Sequence, residues 1–380
     1  MVAEGDEAME PAENGTVVVK KTLAMAVPEH YRNKAQIPFG RAKDGTVVAG
    51  FFAGRTHDII PCTDCLITFP EAGQIIEIVK AWMADWKISP YDEETQKGAV
   101  RHVLARKGFQ TGEIMVCLIS NQPIKKDAQK DLILRCREVV GYQTLCFNLN
   151  TVFGNTILGD DTVTWDGPGY IEDLIGDVKF RISPRSFFQV NPEMTRVLYG
   201  KALEFAGLTG NETVWDLYCG IGTISLFMAQ KAKKVYGVEI VPEAITDARE
   251  NARLNHIENA EFFVGAAEEV LPKWVQENPE ERIDVIMVDP PRKGMDSACI
   301  ETILKLNPER VVYVSCDSAT LARDLKILCE KEYRLETVQP VDMFGRTRHV
   351  ETICLLGKKN AKNFVEIGVD AEDYYRIKEE

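Results

Sequence analysis

Apolar and polar positions fall into two regimes along the chain. From about residue 187 onward, short apolar runs alternate with amphipathic stretches. Strand-like runs lie at Thr213–Leu217, 234–240, Ala260–Val264, 284–288 and Arg310–Ser315. Helical spacing occupies the intervals between and after them, at 221–231, 242–255, 267–276, Ser297–Leu306 and 319–331. Such alternation predicts a parallel sheet with helices on both faces. Asn191-Pro192 predicts a helix start, and Gly207 lies just past the expected end near Phe205. Two further strands, 335–341 and 351–356, finish the pattern. Their connection, 342–349, is short enough for an antiparallel pair.

Upstream, residues 16–186 read as a mainly β region. Strands are expected at Val47–Phe52, 101–106, 112–119, 144–150, 162–165 and Val178–Ile182. One helix is expected to interrupt them, at 71–86, where Ile75, Ile76, Val79, Trp82, Met83 and Trp86 share a face. The expected organisation is a disordered leader (1–15), the β region (16–186), an α/β domain (187–360) and an acidic tail (361–380).

Length and composition fit this division. A chain of 380 residues, 45% hydrophobic and 27% charged, suits two globular domains. No apolar run approaches membrane-spanning length, and the acidic N-terminus carries no signal core. A cytoplasmic protein with no membrane association is expected. Of the ten cysteines only Cys62 and Cys65 form a close pair, so a structural zinc site is not expected. The net charge of -13 opposes nucleic-acid binding. Local basic clusters (Arg32, Lys34, Arg41, Lys43; Arg101, Arg106, Lys107; Arg181, Arg185) could form a basic face on an acidic body, but charge alone favours solvated surface.

The candidate chemistry gathers at the carboxyl ends of the parallel strands. The first ends in Asp216-Leu-Tyr-Cys-Gly-Ile-Gly222, which departs from the dinucleotide fingerprint but lets a ligand approach the backbone. The second ends at Glu239, placed to bind ribose hydroxyls. The fourth ends in Asp289-Pro-Pro-Arg-Lys-Gly294, a rigid loop aiming Asp289 at the same crevice. Together these suit a nucleoside ligand. The fifth ends in Ser315-Cys316-Asp317, where a helix start is expected to favour the thiolate. A thiolate adding to C6 of uracil would make C5 nucleophilic toward a methyl sulfonium, and a base would then remove the C5 proton. Glu351, at the start of the last strand, is the candidate base.

These segments, with Ser183-Pro-Arg-Ser-Phe-Phe-Gln189-Val-Asn191, Ala319-Thr-Leu-Ala-Arg-Asp324 and Asp342-Met-Phe, run in order over about 180 residues. In them the chain resembles the RNA uracil-C5 methyltransferases, which make 5-methyluridine in ribosomal and transfer RNA. Tyr31-Arg-Asn-Lys-Ala and Arg101-His-Val-Leu-Ala-Arg-Lys107 resemble the family's central domain. The resemblance implies a Rossmann-like methyltransferase fold behind a β-rich, RNA-facing domain. It implies S-adenosyl-L-methionine contacts at Gln189, Tyr218, Glu239 and Asp289, with Cys316 as nucleophile and Glu351 as base. It is nearest the ribosomal RNA members, with transfer RNA as the other substrate. No obligate protein partner is expected. Many members begin with a small β-barrel, and many carry an iron–sulfur cluster whose last ligand matches Cys65. Against that pattern the chain reads as shortened, and no stable [4Fe–4S] cluster is expected. An amino-methyltransferase is disfavoured, because Arg292 replaces the usual aromatic and the Cys316 segment would go unexplained. An inactive RNA-binding remnant is the remaining rival, disfavoured because Cys316 and Glu351 are both present.

Overall fold

The computed structural model describes residues 17–54 and 56–359. The expected leader (1–15) and tail (361–380) lie outside them. The first half contains β1 (Val18–Val19), β2 (Lys34–Arg41), β3 (Val47–Phe52), β4 (Ile59–Pro61) and α1 (Glu71–Asp85). It continues through β5 (Val100–Lys107), β6 (Ile114–Ser120), α2 (Lys126–Cys136), β7 (Tyr142–Leu149) and β8 (Asp161–Asp166). Seven of these strands form one sheet in the order β4-β3-β2-β5-β6-β7-β8. The apolar stripe of α1, with Ile75, Val79, Trp82 and Met83 fully buried, packs on Val103, Val116 and Leu118 of one sheet face. Trp82 Nε1 donates to the Ala128 carbonyl at 2.8 Å, joining α1 to α2.

The sequence pattern predicts a single helix here, and α2 is a second. Its buried residues are Ala128, Leu132 and Cys136, a row one residue wide in an otherwise charged segment. So narrow a stripe gives little periodic signal. Strand β2 also escapes the pattern because it contains Pro38, which ordinarily argues against a paired strand. Pro38 sits at the changeover where β2 stops pairing with β5 and begins pairing with β3, so its missing N–H is tolerated.

The second half runs β9 (Ile171–Ile175), β10 (Val178–Ile182), α3 (Pro192–Ala206), β11 (Thr213–Leu217), α4 (Thr223–Ala229), β12 (Lys234–Glu239) and α5 (Pro242–Leu254). It ends with β13 (Ala260–Val264), α6 (Ala267–Glu277), β14 (Val285–Val288), α7 (Ser297–Leu306), β15 (Arg310–Ser315), α8 (Ser318–Glu330), β16 (Tyr333–Val341) and β17 (Glu351–Lys358). The sheet order is β1-β16-β17-β15-β14-β11-β12-β13. Strands β11 to β15 are mutually parallel, as their alternation with helices requires. Strand β17 is antiparallel to both β15 and β16. Asn191 caps α3 by accepting from Met194 N, and Gly207 closes it at φ 57. This is the expected α/β fold, a Rossmann-like methyltransferase sheet preceded by a β-rich region.

Of two upstream segments, one joins the larger sheet and the other, a separate two-stranded sheet, packs against its domain. Strand β1 pairs in parallel with β16, and Leu23 bridges Val341. The β9–β10 hairpin buries Phe180 among Ile221 and Leu226. Asn251, fully buried on α5, holds that hairpin to the glycine turn: its Oδ1 accepts from Arg181 N at 3.0 Å, and its Nδ2 donates to the Ile221 carbonyl at 3.2 Å. Asn251→Ala strands both partners in the interior. It is expected to lower unfolding free energy by about 2 kcal/mol in urea titrations, with a smaller loss in Asn251→Asp.

Candidate active site

Strand β11 delivers the cofactor-side groups. After Leu217 the chain turns through Tyr218 (φ 76), Gly220 (φ 54) and Gly222 (φ 82), and Gly222 caps α4. Three left-handed residues in five make a tight turn, and nothing lies within 4 Å of where a Cβ on Gly220 would sit. Asp216 lies beneath it, buried, with Oδ2 accepting from Ser225 Oγ at 2.5 Å. Its Oδ1 has no partner. Burial pushes the Asp216 carboxyl up to about 7, against the opposing Ser225 bond. Glu239 ends β12 and accepts from Gly220 N at 3.3 Å and Val241 N at 3.0 Å. The open space at Gly220, the orphaned Asp216 oxygen and the Glu239 carboxylate together fit a nucleoside with donor hydroxyls. Tyr218 differs from the others: its ring packs against the side of the sheet that carries α7, beside Cys299.

The candidate nucleophile and base come near each other through the register of β15 and β17. Ser315 pairs with Thr352, so the next antiparallel step places Cys316 across from Glu351. Glu351 is 5% exposed, and burial raises its carboxyl to about 7 against the opposing charge of Arg292. Asp289 follows β14 at the same edge. Burial lifts its carboxyl well above the ordinary value, and the charges of Glu351 and Asp216 add to the lift. Cys316 is half-buried and stands next to Asp317, which caps α8.

The expected thiolate preference of Cys316 is overturned. Burial pushes the thiol up, and the Glu351 and Asp289 charges push it further. Arg292 opposes them by charge and by hydrogen bond. The helix start cannot outweigh two carboxyls and desolvation. Arg292 is thus a candidate site residue that the sequence reading passed over, having used it only to separate methyltransferase classes. Its place three residues after Asp289, on a proline-stiffened loop, was the available signal. That loop is braced by buried Asp324, which accepts from Tyr313 OH at 2.7 Å and Met295 N at 2.8 Å.

The chain was compared with known proteins and structures. The family model for tRNA (uracil-5-)-methyltransferase matches residues 22–359. The chain belongs to this family. An uncharacterized RNA methyltransferase of Halalkalibacterium halodurans is 52% identical over 90% of this chain and 74% of its own length. Another, from Bacillus cereus, is 53% identical with the same coverage. Among solved structures, the Pyrococcus abyssi tRNA (uracil-54, C5)-methyltransferase in complex with S-adenosyl-L-homocysteine superposes with a TM-score of 0.74. It is 27% identical and covers 90% of this chain and 78% of its own. The chain is therefore an RNA methyltransferase of a family that uses S-adenosylmethionine.

In this family member, the basic residues noted in the sequence divide sharply. Arg101 is buried and bonded to the Asn150 and Val152 carbonyls, with Glu93 at 3.4 Å, so it is an internal strut. Lys107 pairs with Glu71, and Arg181 pairs with Glu172 and Glu250. Arg185 bonds the Gly159 carbonyl and Asp160. Arg106 donates to the Ser186 carbonyl at 2.5 Å, anchoring the loop that carries Gln189. Asn33 holds the same loop through the Gln189 and Val190 carbonyls, and Ser186 Oγ donates to Asp247. Asn33 and Ser186 lie inside the quoted motifs but were given no role there, and Asp247 carried no motif signal. Cys62 and Cys65 lie side by side before α1. Among the described residues no group of three or more His, Cys, Asp or Glu side chains is gathered to hold a metal. No described helix is long and apolar enough to cross a membrane.

The charge balance around Cys316 is measurable. The rate of its alkylation by iodoacetamide should rise with pH and reach half-maximum above the ordinary thiol value of about 8.5. Glu351→Gln removes a neighbouring negative charge and should move that midpoint down. Arg292→Gln should move it up. Mass-spectrometric quantitation of labelled Cys316 reads all three; identical midpoints would contradict the coupling.

Proposed function

We propose that this chain methylates C5 of a uridine in 23S ribosomal RNA through a covalent bond between Cys316 and C6. The observation that carries the reading is the β15–β17 register, ending at Ser315 and Thr352, which brings Cys316 near Glu351 beside the crevice of Asp216, Glu239 and Asp289. S-adenosylmethionine supplies an electrophilic methyl group in that crevice. Glu239 and Asp289 are assigned to bind its hydroxyl and amino groups, and Gln189 and Tyr218 to line the site.

Cys316 first loses its thiol proton to solvent; the thiolate, held by Arg292, forms the S–C6 bond, and the electron pair of the uracil double bond moves to C5. C5 then takes the methyl group, whose bond to the sulfonium sulfur breaks with the electron pair left on sulfur, so that S-adenosyl-L-homocysteine would be the leaving group. Glu351 accepts the C5 proton, the double bond re-forms, and the Cys316 thiolate leaves. A carboxyl titrating near 7 suits this step, because it is a stronger base than an ordinary glutamate yet still ionises at neutral pH. Phe187, 70% exposed beside Gln189, offers a stacking surface for a base drawn from the RNA. A cytoplasmic location accords with this reading.

The ribosomal assignment follows the sequence resemblance. Transfer RNA is the second reading, favoured by the family description and by the Pyrococcus abyssi relative. Mapping 5-methyluridine in 23S and transfer RNA, with and without the gene, decides between them.

The mechanism gives distinct expectations for two variants. Cys316→Ala should lose methyl transfer and keep S-adenosylmethionine binding. Glu351→Gln should accumulate a denaturant-resistant protein–RNA adduct with unmodified RNA, because the proton stays on C5. Wild-type enzyme should form the same kind of adduct with 5-fluorouridine RNA. Turnover by Cys316→Ala at the wild-type rate would eliminate the covalent route. In the crevice, Glu239→Ala should weaken S-adenosylmethionine binding roughly tenfold or more by calorimetry, the usual effect of losing a charge-assisted hydrogen bond.

A further inference from the structure

The face of the seven-stranded sheet opposite α1 and α2 holds an arrangement that the fold alone does not require. Lys34 on β2 and Arg106 on β5 are directly opposed across the strand pair. Like charges in that position repel and destabilise a sheet. Arg32 continues the row two residues before Lys34, its guanidinium 5.8 Å from the Phe344 ring. Arg106 is 3% exposed, and its Nε has no hydrogen-bond partner, nor does the Nε of Arg32. Among the described residues, none of the three forms a salt bridge, whereas Arg101, Lys107, Arg181 and Arg185 all do. Burial and the Arg106 charge push the Lys34 ammonium down to about 8. Behind Arg106, burial keeps the Cys117 thiol neutral.

The location matters as much as the charge. Arg106 grips the Ser186 carbonyl, immediately before exposed Phe187 and, two residues further, the partly buried Gln189. Phe344, under Arg32, belongs to the loop that leads into Glu351, and Tyr31 OH fixes that loop by donating to the Gly345 carbonyl at 2.9 Å. The three cations therefore lie between the two loops that frame the reacting groups.

We propose that Arg32, Lys34 and Arg106 form a binding site for a backbone phosphate of the substrate RNA, close to the target uridine. Arg32 and Lys34 are only partly buried and reach the anion, while Arg106 lies behind them and strengthens the field. The anion relieves the repulsion between Lys34 and Arg106, so the strain of the free enzyme is released on RNA binding. The site rests on RNA being the substrate and is indifferent to which RNA it is.

The test uses the whole chain and whichever of purified 23S ribosomal RNA and bulk transfer RNA the wild type binds. A wrong target in the reading above therefore leaves the measurement intact. Affinity is followed by filter binding across a potassium chloride series. Lys34→Gln should weaken binding roughly tenfold at fixed salt and reduce the log–log salt slope by about one. Lys34→Arg should restore the slope. S-adenosylmethionine affinity should be unchanged in both. The melting temperature of RNA-free Lys34→Gln should rise, since a like-charge contact is removed. An unchanged salt slope in Lys34→Gln, or a lowered melting temperature with wild-type RNA affinity, overturns the proposal and leaves Lys34 a structural residue.

Discussion

Everything at the catalytic edge depends on how little negative charge a half-buried crevice can hold. Asp289, Glu351 and the Cys316 thiol converge there, with Arg292 as the cation coupled to both Cys316 and Glu351. Desolvation makes each anion costly, and each ionised neighbour makes the next more so. The charges of Glu351 and Asp289 raise the Cys316 thiol, and that of Glu351 raises Asp289. When Glu351 holds a proton, its charge no longer opposes the thiolate. In the proposed mechanism, consuming the thiolate in a bond to carbon leaves the carboxyl freer to ionise and act as a base. A burial that looks unfavourable for an isolated cysteine thus suits the proposed cycle, in which nucleophile and base alternate.

The surrounding structure keeps that crevice in place from several directions. Asp324 braces the Asp289–Gly294 loop from α8. Asn191 serves α3 as its cap and also donates to the Met343 carbonyl at 3.0 Å, tying the approach to Glu351. Upstream, Asp342 N donates to Leu23, and Arg346 donates to the Pro28 carbonyl and pairs with Glu29 at 2.5 Å. A segment near the beginning of the described chain therefore holds the loop before the base. Asn33 and Arg106 hold the Gln189 loop from the smaller sheet. The two sheets act on one site because each grips the other's loops, chiefly through backbone carbonyls. Side-chain-to-carbonyl bonds need no particular residue on the accepting side, so a motif marks the donor and not what it holds.

The sequence by itself determined the alternation of β11 to β15 with their helices, because each helix must bury one stripe and each parallel strand needs a crossover. It placed Asp216, Glu239, Asp289 and Cys316 at one sheet edge, since every parallel strand ends on the same side. It did not reveal α2, whose apolar row is too narrow, or β2, whose Pro38 argues against pairing. Only the tertiary structure decided that Glu351 faces Cys316, because that follows from the insertion of β17 between β15 and β16. It also turned the expected thiolate into a raised thiol, assigned Arg292 its role, and sorted the basic residues into struts, ion pairs and an unneutralised row. Local periodicity records which face of a segment is buried. Charge, protonation and partnership depend on what the rest of the chain brings within a few ångströms, and that information is distributed over residues far apart in sequence.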